Sequence, residues 1–126
     1  MSRGLLDTSA VIALAQGRPV KLPEEAAISA VTLCELHHGV LIADEARRPG
    51  RLATLAIAER TFRPLPVDQR VAPFYGRLVA AARRSGGGRP RAADALIAAT
   101  ALAHGLPLYT LDRDFEGLDE VEVVLA

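Results

Sequence analysis

Cysteine is nearly missing from this chain: Cys34 stands alone among 126 residues. No disulfide can form within the chain, and no Cys/His pair has the spacing of a zinc site. Tryptophan is absent, and two tyrosines and three phenylalanines supply few aromatic faces, so base stacking would not dominate any recognition of nucleic acid. An excess of one charge is lacking too: 15 basic and 15 acidic side chains give a formal net charge of zero, which excludes binding to polyanions through bulk charge alone. The apolar stretches are interrupted too often for a membrane span of about 20 residues. The segment before Asp7 is too brief for a signal peptide. A cytoplasmic protein with no membrane association is the expectation. Neither GxGxxG nor a P-loop occurs, which disfavours the common nucleotide-binding enzymes.

What is present is apolar and segmented. Half the residues are hydrophobic, which argues against disorder, and the length suits a single domain over residues 1–126. Gly4-Leu5-Leu6-Asp7 reads as a short buried strand, after which Thr8 or Ser9 caps a helix reaching Ala15 and Gly17 stops it. Ala26–Ser29 is a second strand. A helix from Val31 to Ala43 follows, with Ser29 or Ala30 near its cap. After an Arg47–Gly50 turn, Leu52 to Arg60 has helical spacing with Leu52, Leu55, Ala56 and Glu59 on one face. Pro64 and Pro66 keep Phe62–Val67 extended. Asp68 can cap a helix from Gln69 to Arg84, ended by Gly86-Gly87-Gly88. Ala92–His104 is the clearest helix, stopped by Gly105 and Pro107. Leu108–Thr110 is a strand, Asp112–Phe115 a turn or short helix, and Val121–Leu125 a last strand. Strands alternating with helices imply an α/β three-layer domain with parallel pairing.

Ligands of open parallel sheets bind beyond the carboxyl ends of the strands. Asp7 ends the first strand there, and Asp112 follows the Leu108–Thr110 strand closely. Each alone would suit a helix cap. Asp94 is the only carboxylate of its helix and shares a stripe with Ile97, Ala98 and Ala101. An acid on a buried stripe must be paired, protonated or bound to a cation, with some relief from the helix dipole. Glu35 repeats the pattern beside Val31 and Cys34. Four carboxylates brought together repel one another unless a hard divalent cation such as Mg²⁺ or Mn²⁺ neutralises them. Such an ion can activate water and stabilise charge on a phosphodiester.

These residues also carry a family resemblance. Leu5-Leu6-Asp7-Thr8-Ser9, Ser29–Leu36 with Gly39, Ala93-Asp94-Ala95-Leu96-Ile97-Ala98 and Thr110–Phe115 resemble, in order and spacing, the four acidic motifs of PIN domains, the VapC-type toxins in particular. The resemblance implies a PIN-like α/β/α sandwich with a central, mostly parallel sheet of four to five short strands. It implies a Mg²⁺- or Mn²⁺-dependent endoribonuclease acting on RNA, a homodimer, and a small VapB-like antitoxin as partner. Asp7, Glu35, Asp94 and Asp112 carry over as catalytic, metal-coordinating acids. Asp114 rivals Asp112 for the fourth place, and Asp112 is preferred as nearer the strand end. Thr8, Ser9 and Thr110 could orient a carboxylate or water.

Other residues receive plainer readings. Adjacent His37 and His38 point about 100° apart on a helix and cannot chelate one ion together, although His38 could hydrogen-bond Glu35. His104 reads as a helix C-terminal cap, and Cys34 as core. Arg83, Arg84, Arg89 and Arg91 form an acid-free stretch upstream of Asp94 that could hold RNA phosphates or be a solvated connection. The apolar side of the Gln69–Ala82 helix could serve a dimer. Two rival functions remain: an aspartyl phosphotransferase using Asp7, weakened by Ser9 in place of a second acid and by Lys21 as the sole lysine, and a non-catalytic partner-binding domain.

Overall fold

A computed structural model describes residues 1–118 and 120–126. Five short strands, β1 (Arg3–Leu6), β2 (Glu25–Ser29), β3 (Pro64–Leu65), β4 (Leu108–Thr110) and β5 (Val123–Leu125), form one sheet in the order β3-β2-β1-β4-β5. Every pairing in it is parallel. The five α-helices are α1 (Thr8–Ala15), α2 (Ala30–Ile42), α3 (Arg48–Thr61), α4 (Ala72–Arg84) and α5 (Ala92–Ala103); a 3₁₀ turn spans Arg113–Gly117.

The strands are apolar on both faces because both are covered, as parallel sheets require. Leu5 and Leu108 face one core with Val71, Leu78, Ile97 and Ala98 of the α4/α5 side. Their neighbours Leu6 and Tyr109 face the other with Val11, Leu36, Leu55 and Ala58 of the α1/α2/α3 side. This alternation at period two produces the three expected layers. Tyr109 packs so closely that a Cβ on Gly4 would lie 2.4 Å from its ring and 3.2 Å from Pro23 Cγ. Glycine is needed there for space. Pro64 is tolerated because β3 is an edge strand.

Several local expectations are corrected. Asp7, rather than Thr8 or Ser9, is the N-cap of α1, accepting from the amide of Ala10. Helix α3 begins at Arg48, because Pro49 sits in its first turn, where its missing N–H costs nothing. The buried residues of α3 are Leu55 and Ala58; Leu52, Ala56 and Glu59 are exposed. Helix α4 starts at Ala72, since Asp68 instead caps the preceding turn through the amide of Arg70. Strand β5 is shorter than expected, starting at Val123. Cys34 is exposed, not core: the buried residues of α2 are Thr32, Leu36 and Val40, spaced by four, and Cys34 lies off that line.

Candidate active site

The sheet order places β1 between β2 and β4, so the carboxyl ends of these three strands meet at the change of direction in the strand order. Leu6 pairs with Ile28 on one side and Tyr109 on the other. The following residues, Asp7, Ser29 and Thr110, therefore stand level, and the amide of Asp7 donates to Tyr109 O at 3.0 Å.

Asp7 is 3% exposed, and both its oxygens are engaged. Oδ1 accepts from Ser9 Oγ at 2.7 Å and Ala10 N at 2.9 Å, and Oδ2 accepts from Thr110 Oγ1 at 2.5 Å. The two hydroxyls are themselves oriented by backbone. Ser9 Oγ accepts from Leu111 N at 3.0 Å, and Thr110 Oγ1 from Asp112 N at 2.9 Å. Each hydroxyl thus accepts a hydrogen bond from an amide and donates one to the carboxylate, a polarised chain that favours the charged acid. Burial nevertheless dominates and pushes the Asp7 carboxyl above its ordinary value, helped by the nearby Asp112 charge and opposed by Thr110, Ser9 and Ala10.

Glu35 and Asp94 are held differently. Thr8 Oγ1 donates to Glu35 Oε1 at 2.5 Å and lies 3.1 Å from the fully buried Thr32 Oγ1. Arg91 places Nη2 3.3 Å from Glu35 Oε2 and Nη1 3.9 Å from Asp94 Oδ2. Asp94 lies in the first turn of α5 and its carboxyl is also raised. Burial is the largest cause, Arg91 opposes it, and Glu35, Asp112 and Asp7 all add to it. The other three predicted acids therefore all stand near enough to Asp94 to disfavour its charged form.

Asp112 and Asp114 separate cleanly. Asp112 is part-buried and its Oδ1 accepts from Asp114 N at 2.9 Å. Asp114 is exposed on the 3₁₀ turn. Two clefts reach the acids, one at Glu35 and one at Asp94. Thr8, Glu35 and Leu36 line one of about 620 Å³ with Arg47 and Arg51. Asp94, Arg91 and Asp114 line another of about 330 Å³ with Gly87 and Gly88.

The remaining expectations divide. Arg83 and Arg89 share a surface hollow with Gly86 and Gly88, Arg84 is exposed in the last turn of α4, and Arg91 reaches the acids. His37 lies 3.7 Å from Glu59 at the surface. Among the described hydrogen bonds His38 makes none to Glu35, whose partners are Thr8 and Arg91. His104 is the C-cap residue of α5. Thr32 was missed by sequence reasoning. Its signal was present, a hydroxyl three residues before Glu35 on a line of otherwise apolar positions.

The donor set fits a hard divalent ion in chemistry and charge: oxygen ligands alone, mutually repelling, and partly desolvated. As the side chains stand, however, no group of three or more His, Cys, Asp or Glu among the described residues is set to ligate an ion. Their oxygens are turned to Ser9, Thr110, Thr8 and Arg91.

An all-parallel five-stranded sheet in this order, carrying acids at the ends of β1 and β4, in the second turn of α2 and in the first turn of α5, has a counterpart among known proteins. The chain belongs to the PIN-domain family, whose sequence profile matches residues 4–121. Within that family its relatives are of VapC type. Ribonuclease VapC5 of Mycobacterium tuberculosis is 41% identical over 129 residues, covering 96% of this chain and 93% of its own. Ribonuclease VapC8 of the same species is 48% identical over 101 residues, covering 78% and 89%. The crystal structure of VapBC-5 from M. tuberculosis, a member of the VapBC family of toxin-antitoxin systems, superposes with a TM-score of 0.86 at 38% identity and covers all of both chains. Among the described residues no helix is long and apolar enough to cross a membrane.

Proposed function

We propose that this chain is a Mg²⁺- or Mn²⁺-dependent endoribonuclease, the toxin of a VapBC-like pair, with Asp7, Glu35, Asp94 and Asp112 as its metal-holding acids. The observation that carries this reading is the gathering of the acids at the carboxyl ends of β1 and β4: Thr8, beside Asp7, holds Glu35, Arg91 reaches both Glu35 and Asp94, and the Thr110 hydroxyl joins Asp7 to the amide of Asp112. Capping accounts for Asp7 and Asp112, but Glu35 and Asp94 cap neither of their helices. The ribonuclease names of its relatives agree with it.

When bound, the ion would activate water for attack on a phosphodiester and stabilise the charge that develops there. The chain's own groups do the rest. Ser9 and Thr110 fix the Asp7 carboxylate, and Thr8 fixes one oxygen of Glu35. Asp112, held by the turn it caps, takes the fourth place in preference to the exposed Asp114. The clefts at Glu35 and Asp94 suit an extended strand crossing the site. Arg83 and Arg89, joined by Arg84 at the end of α4, offer its phosphates positive charge beside a glycine loop through which backbone can approach.

Use of Asp7 as a covalent nucleophile is disfavoured, because Ser9 stands where that chemistry wants a second acid and the sole lysine is Lys21. A VapB-like antitoxin would find exposed apolar side chains on two helices that pack together: Leu41 is 79% and Ile42 64% exposed on α2, and Leu52 49% on α3. Homodimerisation and a cytoplasmic location belong to the same reading and rest on the family resemblance.

The test is cleavage of structured RNAs by wild type and Asp94→Asn, with Mn²⁺ and with EDTA. Cleavage that needs the metal and is lost in the variant is expected. Undiminished cleavage in EDTA, or by Asp94→Asn, would refute the proposal. A wild type that binds Mn²⁺ but cleaves none of the RNAs would favour a partner-binding domain.

A further inference from the structure

Arg91 stands where the acids want a cation. It is the residue before α5, its backbone is extended (φ −57°, ψ 138°), and its side chain makes no capping bond. Its two terminal nitrogens reach two different helices, one toward Glu35 Oε2 and the other toward Asp94 Oδ2. Thr8 holds the other oxygen of Glu35, so Arg91 takes the one left open. A single positive charge from within the chain is thereby shared between two of the four acids.

The contact is easily broken. The Arg91 side chain is 71% exposed, and an ion pair open to water contributes little. The residue follows Pro90 and a loop in which Gly86 and Gly88 have positive φ, and its long stem can swing without backbone movement. Glu35 Oε2 and Asp94 Oδ2 cannot serve both the guanidinium and a small oxygen-seeking ion. A released Arg91 would still line the cleft shared with Gly87, Gly88 and Asp94, and its planar fork matches a phosphate as well as it matches carboxylates.

We propose that Arg91 is an internal counter-ion of the acid cluster: it competes with the divalent ion for Glu35 and Asp94 and, once displaced, turns its guanidinium to an RNA phosphate. The inference rests on the metal-dependent reading above. Arg91 is therefore an occupant of the metal site in one condition and a substrate contact in another.

Calorimetric titration of Mn²⁺ into the full chain without RNA tests it directly. Arg91→Gln binds Mn²⁺ about fivefold more tightly than wild type, the order expected for removing one exposed ion-pair cluster, and Arg91→Lys falls between them. Arg89→Gln removes a charge from the same loop but contacts the Tyr75 hydroxyl instead of the acids, and leaves Mn²⁺ affinity as in wild type. At saturating Mn²⁺, Arg91→Gln raises the KM for RNA about tenfold, as loss of a charge-assisted phosphate contact does. Unchanged or weakened Mn²⁺ binding by Arg91→Gln, with wild type binding and Asp94→Asn not, overturns the competition and leaves the nuclease reading standing. So does equal tightening by Arg89→Gln, which would reduce the effect to general charge. A wild type that takes up no Mn²⁺ overturns both.

Discussion

The two halves of the acid site are built on opposite principles. Around Asp7 everything is fixed: the side chain is buried, its partners are hydroxyls already oriented by backbone amides, and they come from the strand-end segments themselves. Around Glu35 and Asp94 one partner is fixed, Thr8, and the other is a long, solvent-exposed arginine. A buried polar network resists rearrangement because every broken bond leaves an unsatisfied group, whereas an exposed ion pair exchanges readily with water. The Asp7 half therefore defines position, and the Glu35/Asp94 half admits exchange of cations.

The largest effect expected from breaking the fixed half is Asp7→Asn. It lowers RNA cleavage well beyond the roughly 10–100-fold that loss of a supporting group costs. The same variant should be more stable than wild type at neutral pH. The folded Asp7 carboxyl is raised above 3.8, chiefly by burial, so ionisation disfavours the fold. That penalty is absent when both states are protonated, grows as pH rises from the ordinary value through the raised one, and is constant above it. Thermal melts of the two proteins should converge in acid and diverge across that window. Next is Leu108→Ala, fully buried in β4, which should cost about 2–5 kcal/mol in denaturant unfolding. Thr110→Val keeps the shape and removes one donor to Asp7, lowering cleavage about 10–100-fold. Of the supporting hydroxyls, the one in the exchangeable half gives the smallest effect: Thr8→Ala should lower cleavage about tenfold. At the boundary, Asp112→Asn should reduce cleavage while Asp114→Asn leaves it near wild type, and the reverse would exchange their roles.

How much of this could be read from the sequence differs between the same two halves. The strands were visible because parallel strands buried on both faces are short apolar runs, and α5 because its apolar stripe ends at Gly105, whose φ is +64°. The four proposed acids stand out in the sequence by their places at strand ends and on apolar stripes. What could not be read was the direction of each oxygen. Asp7 caps its helix and also stands at the site, and sequence reasoning set those roles against each other. The start of α3 was missed because Pro49 signals a turn and a helix first turn equally well. Cys34 was misplaced because residue type suggests burial while the spacing of Thr32, Leu36 and Val40 decides it. Arg91 was grouped with its neighbours by composition, and only side-chain geometry separates it from them.

The Thr110 hydroxyl that secures Asp7 lies 103 positions further along the chain. A ribosome therefore makes the first acid of the site long before it makes that acid's partner. Until β4 has been synthesised and has docked beside β1, Asp7 lacks the Thr110 hydroxyl and Ser9 lacks the Leu111 amide that orients it. Pairing across such a separation is also a slow event in folding. If the chain is the toxin proposed here, its site is completed only when the last third of the chain, with Asp94, Thr110 and Asp112, is in place, and that interval is available to an antitoxin made nearby.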